Sequence, residues 1–493
     1  MTGRRLLALL WILSAACGPA QGEGSLEEAP ASEAFAQEPQ GWQPCDTSAS
    51  LIADIRPGPM GSRPRELVHF AGELFFTAED GVRGRELWKS SGTGGGGASL
   101  VKDLRPGAAT SNPRRLTVAG DKLFFTAEDG VHGRELWVSD GTAAGTVMVR
   151  DIWPGSPGSA PDQLLAVEDV IYFAANDGRS GSELWRSDGT PGGTFLVEDL
   201  YPGEATPGLP GSSNPRRLTR VGDAFYFVAT VGDTVHVCRS TGVLGATCVF
   251  TGPGDNFLLS LTAVGPSLFF LVDDNEGEAS LWRTQNRPAE YLHFFPGLYP
   301  HDLTAVGKRL FFSAGARGES LPGDPRGEEL WVSDGTARGT VLVKDLRPGT
   351  ASSAPGAFAT LDGWLYFAAE EDLHGRELWR SDGTSRGTTL LRELVPGAPG
   401  SSPQGLTAIS GRLFFSADTP GHGREPWMSD GTASGTVPLR ELAPGMASSD
   451  PQAFTRSGWD VFFTATEASH GEELWALPFR PKGRCRDRAL ASE

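Results

Sequence analysis

Acidic side chains recur at one place in a short repeated motif, ELWxSDGT. An aspartate stands in five equivalent positions of this motif, at Asp140, Asp188, Asp334, Asp382 and Asp430. Repeated Asp and Gly in loops can bind calcium, but a calcium site takes about six to eight oxygens, and one carboxylate per turn falls short. Asp and Gly also supply the side-chain hydrogen bond and the positive φ of a tight turn. We therefore predict that these aspartates are structural.

Histidines and glutamates recur beside the same motif. The histidines are His132, His374, His422 and His470, and the glutamates are Glu86, Glu135, Glu183, Glu329, Glu377, Glu425 and Glu473. A zinc site needs converging ligands, whereas one histidine per repeat is spread along the chain. A glutamate present in nearly every unit is most simply a packing or turn-forming element. Because no G-x-S-x-G, HExxH, P-loop or GxGxxG motif stands in a suitable context, we predict no catalytic residue, no metal and no cofactor.

The motif recurs because the chain is built from one unit of variable length. Its tryptophan stands at Trp88, Trp137, Trp185, Trp282, Trp331, Trp379, Trp427 and Trp475, and Cys238 takes that place in a ninth copy. Periods in this range are typical of solenoids and propellers, whose units stack to bury their apolar faces.

One unit divides into four short runs at its turn residues. In residues 113–155 the runs are 115–118, 122–127, 135–139 and 146–152, rich in Val, Leu, Ile, Phe, Trp and Thr. Several runs are apolar on both faces, which indicates a sheet packed between two neighbouring sheets. Each unit is therefore predicted to be a four-stranded antiparallel blade, and helix should be scarce.

The chain begins and ends out of phase with the repeat. Residues 51–58 match the fourth strand of a unit, as at 342–349, whereas the last unit stops after its third strand. A first strand that completes the last blade would remove exposed sheet edges. We predict an all-β fold that consists of a single β-propeller. Nine blades are expected, with eight to ten as the alternatives, and strand 51–56 closes the ring by completing the last blade. The degenerate fourth and fifth units could pack irregularly.

The repeat resembles a known family. ELWxSDGT stands intact at 135–142, 183–190, 329–336 and 377–384, with departures ELWKSSGT, EPWMSDGT and ELWALPF in other units. It is similar to the ELWxxDGT repeat family of secreted and lipid-anchored bacterial proteins. The resemblance implies a cell-envelope propeller and supplies no catalytic residues.

The N-terminus predicts export. Residues 1–17 hold two arginines, an apolar run and small residues ending at Cys17, which resembles a lipoprotein signal with an acylated cysteine. Simple cleavage and release is the alternative. We expect a tether at 18–49, the propeller at 50–480 and a tail at 481–493. The expected location is the outer membrane or cell surface, alternatively the periplasm or the medium.

Four cysteines remain if Cys17 is acylated. The blade arrangement places Cys238 beside Cys248 on adjacent strands, and Cys45 beside Cys485 at the closure. Two disulfides suit an exported protein. Free thiols or a metal pair are the alternatives.

The repeat fails between residues 201 and 329, and there the sequence places a candidate ligand face. Insertions occupy 201–215 and 314–329, both on one face of the ring, and 291–303 is rich in aromatics. Exposed aromatics beside polar loops are typical of carbohydrate or protein contacts. The candidate residues are Tyr201, Glu204, Tyr291, His293, Phe295, Tyr299, His301, Arg317, Glu319 and Asp324. Sequence drift in these units is the alternative.

Charge narrows the classes of partner. The net charge of −18 argues against nucleic acid and anionic membrane. We expect a monomer that binds or scaffolds a glycan or an envelope protein, with membrane contact through the lipid anchor alone. A hydrolase or lyase at the central channel would require unlike side chains to converge at the channel mouth, where we expect repetition instead. The third alternative for its function is a purely structural component of the cell envelope.

Overall fold

Strands and their connections form all the regular structure in the described part of the chain. The computed structural model describes residues 42–45, 48–93, 97–242, 245–254, 257–273, 278–316, 327–481 and 485. The predicted signal peptide, Cys17 and residues 18–41 lie outside these ranges, as do Arg317, Glu319 and Asp324.

The strands follow the repeat, and blades are numbered in chain order. Two short strands come first, β1 (Trp42–Pro44) and β2 (Ser50–Ala53). Blade 1 comprises β3 (Arg65–Phe70), β4 (Glu73–Glu79), β5 (Arg85–Gly92) and β6 (Gly97–Lys102). Blade 2 comprises β7 (Arg114–Ala119), β8 (Lys122–Glu128), β9 (Arg134–Ser139) and β10 (Val147–Arg150). Blade 3 comprises β11 (Asp162–Val167), β12 (Val170–Asn176), β13 (Ser182–Ser187) and β14 (Phe195–Glu198).

A hairpin then interrupts the pattern, formed by β15 (Glu204–Thr206) and β16 (Leu209–Pro210). Blade 4 comprises β17 (Arg216–Val221), β18 (Ala224–Val231), β19 (Thr234–Ser240) and β20 (Thr247–Pro253). Blade 5 comprises β21 (Phe257–Val264), β22 (Ser267–Asp273), β23 (Ala279–Thr284) and β24 (Glu290–Phe295). Blade 6 comprises β25 (Leu298–Val306), β26 (Arg309–Ala316), β27 (Glu329–Ser333) and β28 (Val341–Lys344).

The last three blades resume the regular repeat. Blade 7 comprises β29 (Gly356–Leu361), β30 (Trp364–Glu371), β31 (Gly375–Ser381) and β32 (Thr389–Arg392). Blade 8 comprises β33 (Gln404–Ile409), β34 (Arg412–Thr419), β35 (Gly423–Ser429) and β36 (Val437–Pro438). Blade 9 contains β37 (Gln452–Ser457), β38 (Asp460–Glu467) and β39 (Gly471–Pro481).

The predicted nine-bladed β-propeller is confirmed. Each of blades 1 to 8 is a four-stranded antiparallel sheet whose strands pair in chain order. The first strand of each blade lies beside the first strand of the next, and β37 lies beside β3, so the nine first strands surround a central channel. Blades 4 and 5 pair as regularly as the others. The expectation that these degenerate units could pack irregularly is therefore wrong, because their strands keep the apolar pattern although the turns lack SDGT.

The ring closes as predicted, with an addition. Strand β2 pairs with Leu474, Trp475 and Ala476 of β39 and supplies the missing fourth strand of blade 9. Strand β1 pairs with the end of β39, at Phe479 to Pro481. This strand falls inside the range 18–49 predicted to be a tether. The sequence contains no repeat there, but Trp42 is only 6% exposed and stacks on Phe479 at 5.8 Å between ring centroids.

The hydrophobic core lies between the blades. The second strand of each blade is buried on both faces, as in β4, where Leu74, Phe75 and Phe76 are each 0% exposed. Phe75 packs against the neighbouring blade in one cluster with Leu123 and Phe125. Burial of each such side chain stabilises the fold by about 1.5–3 kcal/mol. These strands are therefore apolar on both faces because each sheet packs between two neighbouring sheets, as the sequence predicted.

Both predicted cysteine pairs lie at disulfide distance. Cys45 and Cys485 have Cα atoms 5.1 Å apart beside the closing strands. Cys238 and Cys248 face each other across β19 and β20, with Cα atoms 3.8 Å apart.

Candidate functional site

Two faces of the ring differ in the connections they hold. Connections from second to third strands and from fourth to first strands emerge on one face, called here the entry face. Gly133 and Gly158, from one connection of each kind, approach so closely that a Cβ on Gly133 would lie 2.7 Å from the Gly158 nitrogen. The SDGT turns lie on the opposite face.

In seven of the nine blades, a buried glutamate on the third strand fixes the connection that leads from the fourth strand into the next blade. Glu86 is 0% exposed and accepts hydrogen bonds from the Ser111 hydroxyl at 2.6 Å, the Ser111 amide at 2.9 Å and the Leu104 amide at 3.0 Å. The same serine-to-glutamate bond recurs at 2.5–2.9 Å in Glu135–Ser159, Glu183–Ser213, Glu329–Ser353, Glu377–Ser401, Glu425–Ser449 and Glu473–Ser62. Each glutamate therefore holds the connection that leads into the next blade.

Burial governs the acidity of these glutamates. Loss of hydration raises the pKa of Glu86 from 4.5 to about 7, against the lowering effect of its Ser111 and Leu104 donors. Burial also raises the pKa of Glu135 and of Glu473. These carboxylates are enclosed by serines and backbone amides away from the channel, which accords with the structural role inferred from sequence.

The serine that binds the glutamate is the first residue of a Ser-x-Pro step, which connects two blades. The two residues that follow this proline begin the innermost strand at the channel mouth. In blade 2 the step is Ser111, Asn112 and Pro113, followed by Arg114 and Arg115 at the start of β7. The β7–β8 register shifts between Arg114 and Thr117, which marks a bulge. The second residue of the pair has positive φ in eight blades, at Glu66, Arg115, Gln163, Arg217, Asp302, Ala357, Gly405 and Ala453.

A bulge with positive φ at a non-glycine residue is strained, and such residues concentrate at functional sites. Here the strain turns the start of the innermost strand toward the channel mouth. We call the two residues that follow the proline the mouth pair.

The mouth pairs differ from blade to blade, unlike the rest of the repeat. In chain order they are Arg65–Glu66, Arg114–Arg115, Asp162–Gln163, Arg216–Arg217, His301–Asp302, Gly356–Ala357, Gln404–Gly405 and Gln452–Ala453 for blades 1 to 4 and 6 to 9. Charged pairs lie on blades 1 to 4 and 6, and small or neutral pairs lie on blades 7 to 9. The expected repetition at the channel mouth is therefore wrong, because the constant framework presents unlike side chains there.

A cavity of about 740 Å³ opens at the mouth between blades 1, 2 and 3. Its lining includes five arginines, Arg65, Arg85, Arg114, Arg115 and Arg134. The acids of the lining are Glu66 and Asp162. This excess of cations stands in a chain of net charge −18.

Two of the arginines belong to the framework. Arg85 donates to the carbonyl oxygens of Arg63 and Thr77 and pairs with Glu79 at 3.1 Å. Arg134 makes the equivalent bonds in blade 2, to Asn112 and Thr126. Arg376 and Arg424 repeat this role in blades 7 and 8, so the arginine is a framework element of these four blades.

The mouth arginines differ in how far their charge is compensated. Arg65 binds Glu472 through two hydrogen bonds, and Arg115 pairs with Asp162 at 2.7 Å. Arg114 contacts the amide oxygen of Asn112 at 2.8 Å, with that amide oriented toward the guanidinium. Within the described ranges, no carboxylate lies at ion-pair distance from Arg114.

Blade 4 adds two adjacent cations. Arg216 donates to the Thr230 hydroxyl at 3.1 Å, and burial together with the neighbouring Arg217 lowers the pKa of Arg216. The backbone amide of Arg217 donates a hydrogen bond to Gln163 Oε1 at 2.8 Å, which links blades 3 and 4. Among the described residues, neither side chain has a carboxylate within ion-pair distance. Three uncompensated arginines thus lie along blades 2 to 4.

A matching pocket between blades 8 and 9 lacks this charge. It measures about 380 Å³ and is lined by Gln404, Gly405, Gln452 and Ala453 above Arg424 and Asp450. The framework is the same, and only the mouth pairs differ. The basic character of the first cavity therefore comes from its mouth pairs.

The aspartate of each SDGT turn accepts its hydrogen bonds from residues of the same turn. Asp140 Oδ1 accepts from the amide and the hydroxyl of Thr142 at 2.8 and 2.7 Å, and Ser139 and Thr146 join their hydroxyls at 2.7 Å. The same contacts recur around Asp188, Asp334, Asp382 and Asp430.

The repeated histidines form separate pairs, each with an acid near its own loop. His132 pairs with Asp129, His374 with Glu371, His422 with Glu441 and His470 with Glu467. In the part of the chain that the structure describes, no group of three or more His, Cys, Asp or Glu could hold a metal ion.

The residues predicted for the ligand face lie in separate places. Phe295 is 0% exposed in the core, whereas Tyr291 is 53% exposed on the outermost strand of blade 5. His293 packs edge-on against Phe295 at 4.6 Å between ring centroids. Tyr201 and Glu204 belong to the hairpin insertion, where Glu204 lines a shallow pocket with Arg179 and Pro210.

Two predicted residues do reach the innermost strand. Tyr299 and His301 lie on β25, and His301 is the first residue of the blade 6 mouth pair. It contacts Asp302 and Glu328 at 3.2 Å each, and the hydrogen bond to Glu328 raises its pKa. The predicted set is therefore divided between the outer edge, the core and the mouth.

Comparison with known proteins adds no assignment. No protein-family model matches this chain, and no curated protein matches it. Among solved structures it is similar to prolyl endopeptidases (14% identity, TM-score 0.43, covering 72% of this chain and 54% of that chain). It is also similar to the propeller domain of the Trilobed protease from Pyrococcus furiosus, with 13% identity and a TM-score of 0.36, covering 67% of this chain and 98% of that chain. Oligopeptidase B from Leishmania major is similar with 13% identity and a TM-score of 0.39, covering 72% of this chain and 52% of that chain. Similarity of this degree supports no inference about activity.

The described residues also contain no helix long and apolar enough to span a bilayer.

Proposed function

We propose that this protein is an exported cell-envelope β-propeller that binds an anionic ligand at the basic mouth of its channel. One observation supports the proposal above the others: constant blades present unlike residues at a single repeat position, and three arginines there lack an acidic partner. Desolvated or crowded cations without counter-charge favour a bound anion. Binding of an anion is the role that this arrangement supports best.

The location belongs to the same proposal. The lipoprotein-like sequence ending at Cys17 and the similarity to the ELWxxDGT repeat family support export and lipid anchoring. The two cysteine pairs at disulfide distance fit an oxidising compartment.

Titration of polyanions into the purified protein tests this function. We expect polygalacturonate, polyglutamate or polyphosphate to bind at low ionic strength, with affinity that falls as salt is added. Arg217→Ala should weaken binding, because it removes one of the cations without an acidic partner. The variant should fold, since Ala occupies the same position in blades 7 and 9. Gln452→Ala, in the neutral pocket, is the matched control and should bind as the wild type does. Absence of binding by all three polyanions overturns the proposal.

A hydrolase or lyase is the second candidate, and the contacts of His301 favour it. An imidazole between two carboxylates at a channel mouth has the composition of a general acid–base group. Release of new chain ends from a polyanion by the wild type, lost in His301→Ala, would establish this function. Wild-type protein that releases no chain ends would remove it.

A further inference from the structure

The basic mouth holds hydrogen-bond acceptors between its arginines. Around blades 1 to 4 the mouth pairs are Arg65–Glu66, Arg114–Arg115, Asp162–Gln163 and Arg216–Arg217, so cations alternate with two carboxylates and an amide. Glu66 and Asp162 both line the cavity of about 740 Å³. The site is therefore mixed and is more than a patch of positive charge.

These acceptors are accessible for a ligand. Glu66 is exposed, and its one hydrogen bond within the described ranges is a long one, 3.4 Å from the Leu116 amide. The Asp162 side chain is 47% exposed, with Oδ1 paired to Arg115 and Oδ2 accepting a long hydrogen bond of 3.3 Å from Gln163 Nε2. Each carboxylate has further lone pairs with which to accept hydrogen bonds.

This mixture distinguishes between classes of polyanion. The side chains of an acidic peptide bring carboxylates, which need donors alone and are repelled by Glu66 and Asp162. A sugar hydroxyl both donates and accepts, so it can bridge an arginine and a neighbouring carboxylate. A ligand that combines carboxylates with many hydroxyls satisfies both kinds of group in this site.

We propose that the ligand is a uronate-bearing oligosaccharide that lies along the mouths of blades 1 to 4. Its carboxylates bind Arg114 and Arg217, and its hydroxyls donate to Glu66 and Asp162. This inference rests on the proposed binding function and specifies its ligand class.

Two matched ligands test the role of the carboxylates. Hexagalacturonate and its fully methyl-esterified form share the same sugar chain and differ in charge. We expect isothermal titration to give an affinity about 10-fold or more higher for the acid form, the size of effect that a lost charge-assisted hydrogen bond produces. Equal affinity of the two forms would overturn the proposal.

One substitution separates a sugar ligand from an acidic peptide. Glu66→Ala removes an acceptor and a negative charge, and Ala is native at this position in blades 7 and 9. Hexagalacturonate should bind this variant several-fold more weakly, because a hydroxyl loses its acceptor. Hexaglutamate should bind it as well as or better than the wild type, because repulsion is removed. Tighter binding of hexagalacturonate to the variant would contradict the uronate assignment.

The two proposals fail in different ways. If hexaglutamate binds to the wild type and hexagalacturonate does not, the mouth is an anion site and the uronate inference is wrong. If neither binds, and polyphosphate does not either, the anion-binding function itself is wrong. Binding of hexagalacturonate that persists in Arg114→Gln together with Arg217→Ala would also overturn the inference, because it places the sugar elsewhere.

Discussion

The glutamates of the repeat show why identical residues are poor guides to function. Their regular spacing predicted a structural role, and the carboxylates are buried against serines that fix the connections between blades. The sequence could not reveal that this bond positions a variable pair of residues, which begins three residues after the serine. That relation depends on a contact such as Glu86 to Ser111, which spans two blades.

The buried glutamates make stability depend on pH in a definite direction. A pKa raised from 4.5 to about 7 means that folded Glu86 binds its proton more tightly than the unfolded chain does. Its contribution is therefore fully present below about pH 4.5 and is lost as pH rises through about 7. We expect the urea midpoint to fall between pH 5 and pH 8, and to fall less in Glu86→Gln. Asp140→Asn is the control: hydrogen bonds from Thr142 lower the pKa of the Asp140 carboxylate, so this substitution should leave the change of the urea midpoint with pH unaltered.

The SDGT aspartates allow a second test at this scale. Each carboxylate is satisfied within its own turn, as at Asp140 and Thr142, so a divalent cation adds nothing to the folded state. We expect the same Tm in excess calcium and in excess chelator. A rise of several degrees in calcium would show that these turns bind metal.

At the scale of elements, the bulged first strand explains what the sequence could and could not predict. The strands, their order and the closing strand follow from apolar runs and turn residues, which are local signals. The bulge is not local, because positive φ falls on residues as different as Glu66, Arg115 and Ala357, and only blade 8 has glycine there. The sequence signal available was the variation in the two residues after Ser-x-Pro.

The strained position predicts an unusual pattern of tolerance. Arg115 has φ of 59°, so Arg115→Gly should fold with unchanged or greater stability, as Gly405 does in blade 8. Arg115→Val places a β-branched residue in the left-handed region and should cost about 1–2 kcal/mol. Urea denaturation of both variants measures this difference. Equal stability of the two would mean that the bulge relaxes when its residue is changed.

At the scale of the whole molecule, closure depends on strands from both ends of the chain. Strands β1 and β2 both pair with β39, and Cys45 lies opposite Cys485 across 440 residues. A bond that closes so long a loop stabilises by about 4 kcal/mol or more, against about 3 kcal/mol or less for the 10-residue separation of Cys238 and Cys248. Cys45→Ser should therefore lower the urea midpoint more than Cys238→Ser does. The opposite order would mean that β1 and β2 hold the ring closed without the bond.

Exchange of one mouth pair tests the central claim most directly. Arg114→Gln with Arg115→Ala gives blade 2 the pair that blade 9 already holds, Gln452–Ala453, on the same framework. We predict that the protein keeps its Tm and loses about 10-fold or more of its affinity for polygalacturonate and polyglutamate, whichever binds, in isothermal titration. Unchanged affinity in a fully folded variant would contradict the claim that the unlike residues of the channel mouth form the binding site.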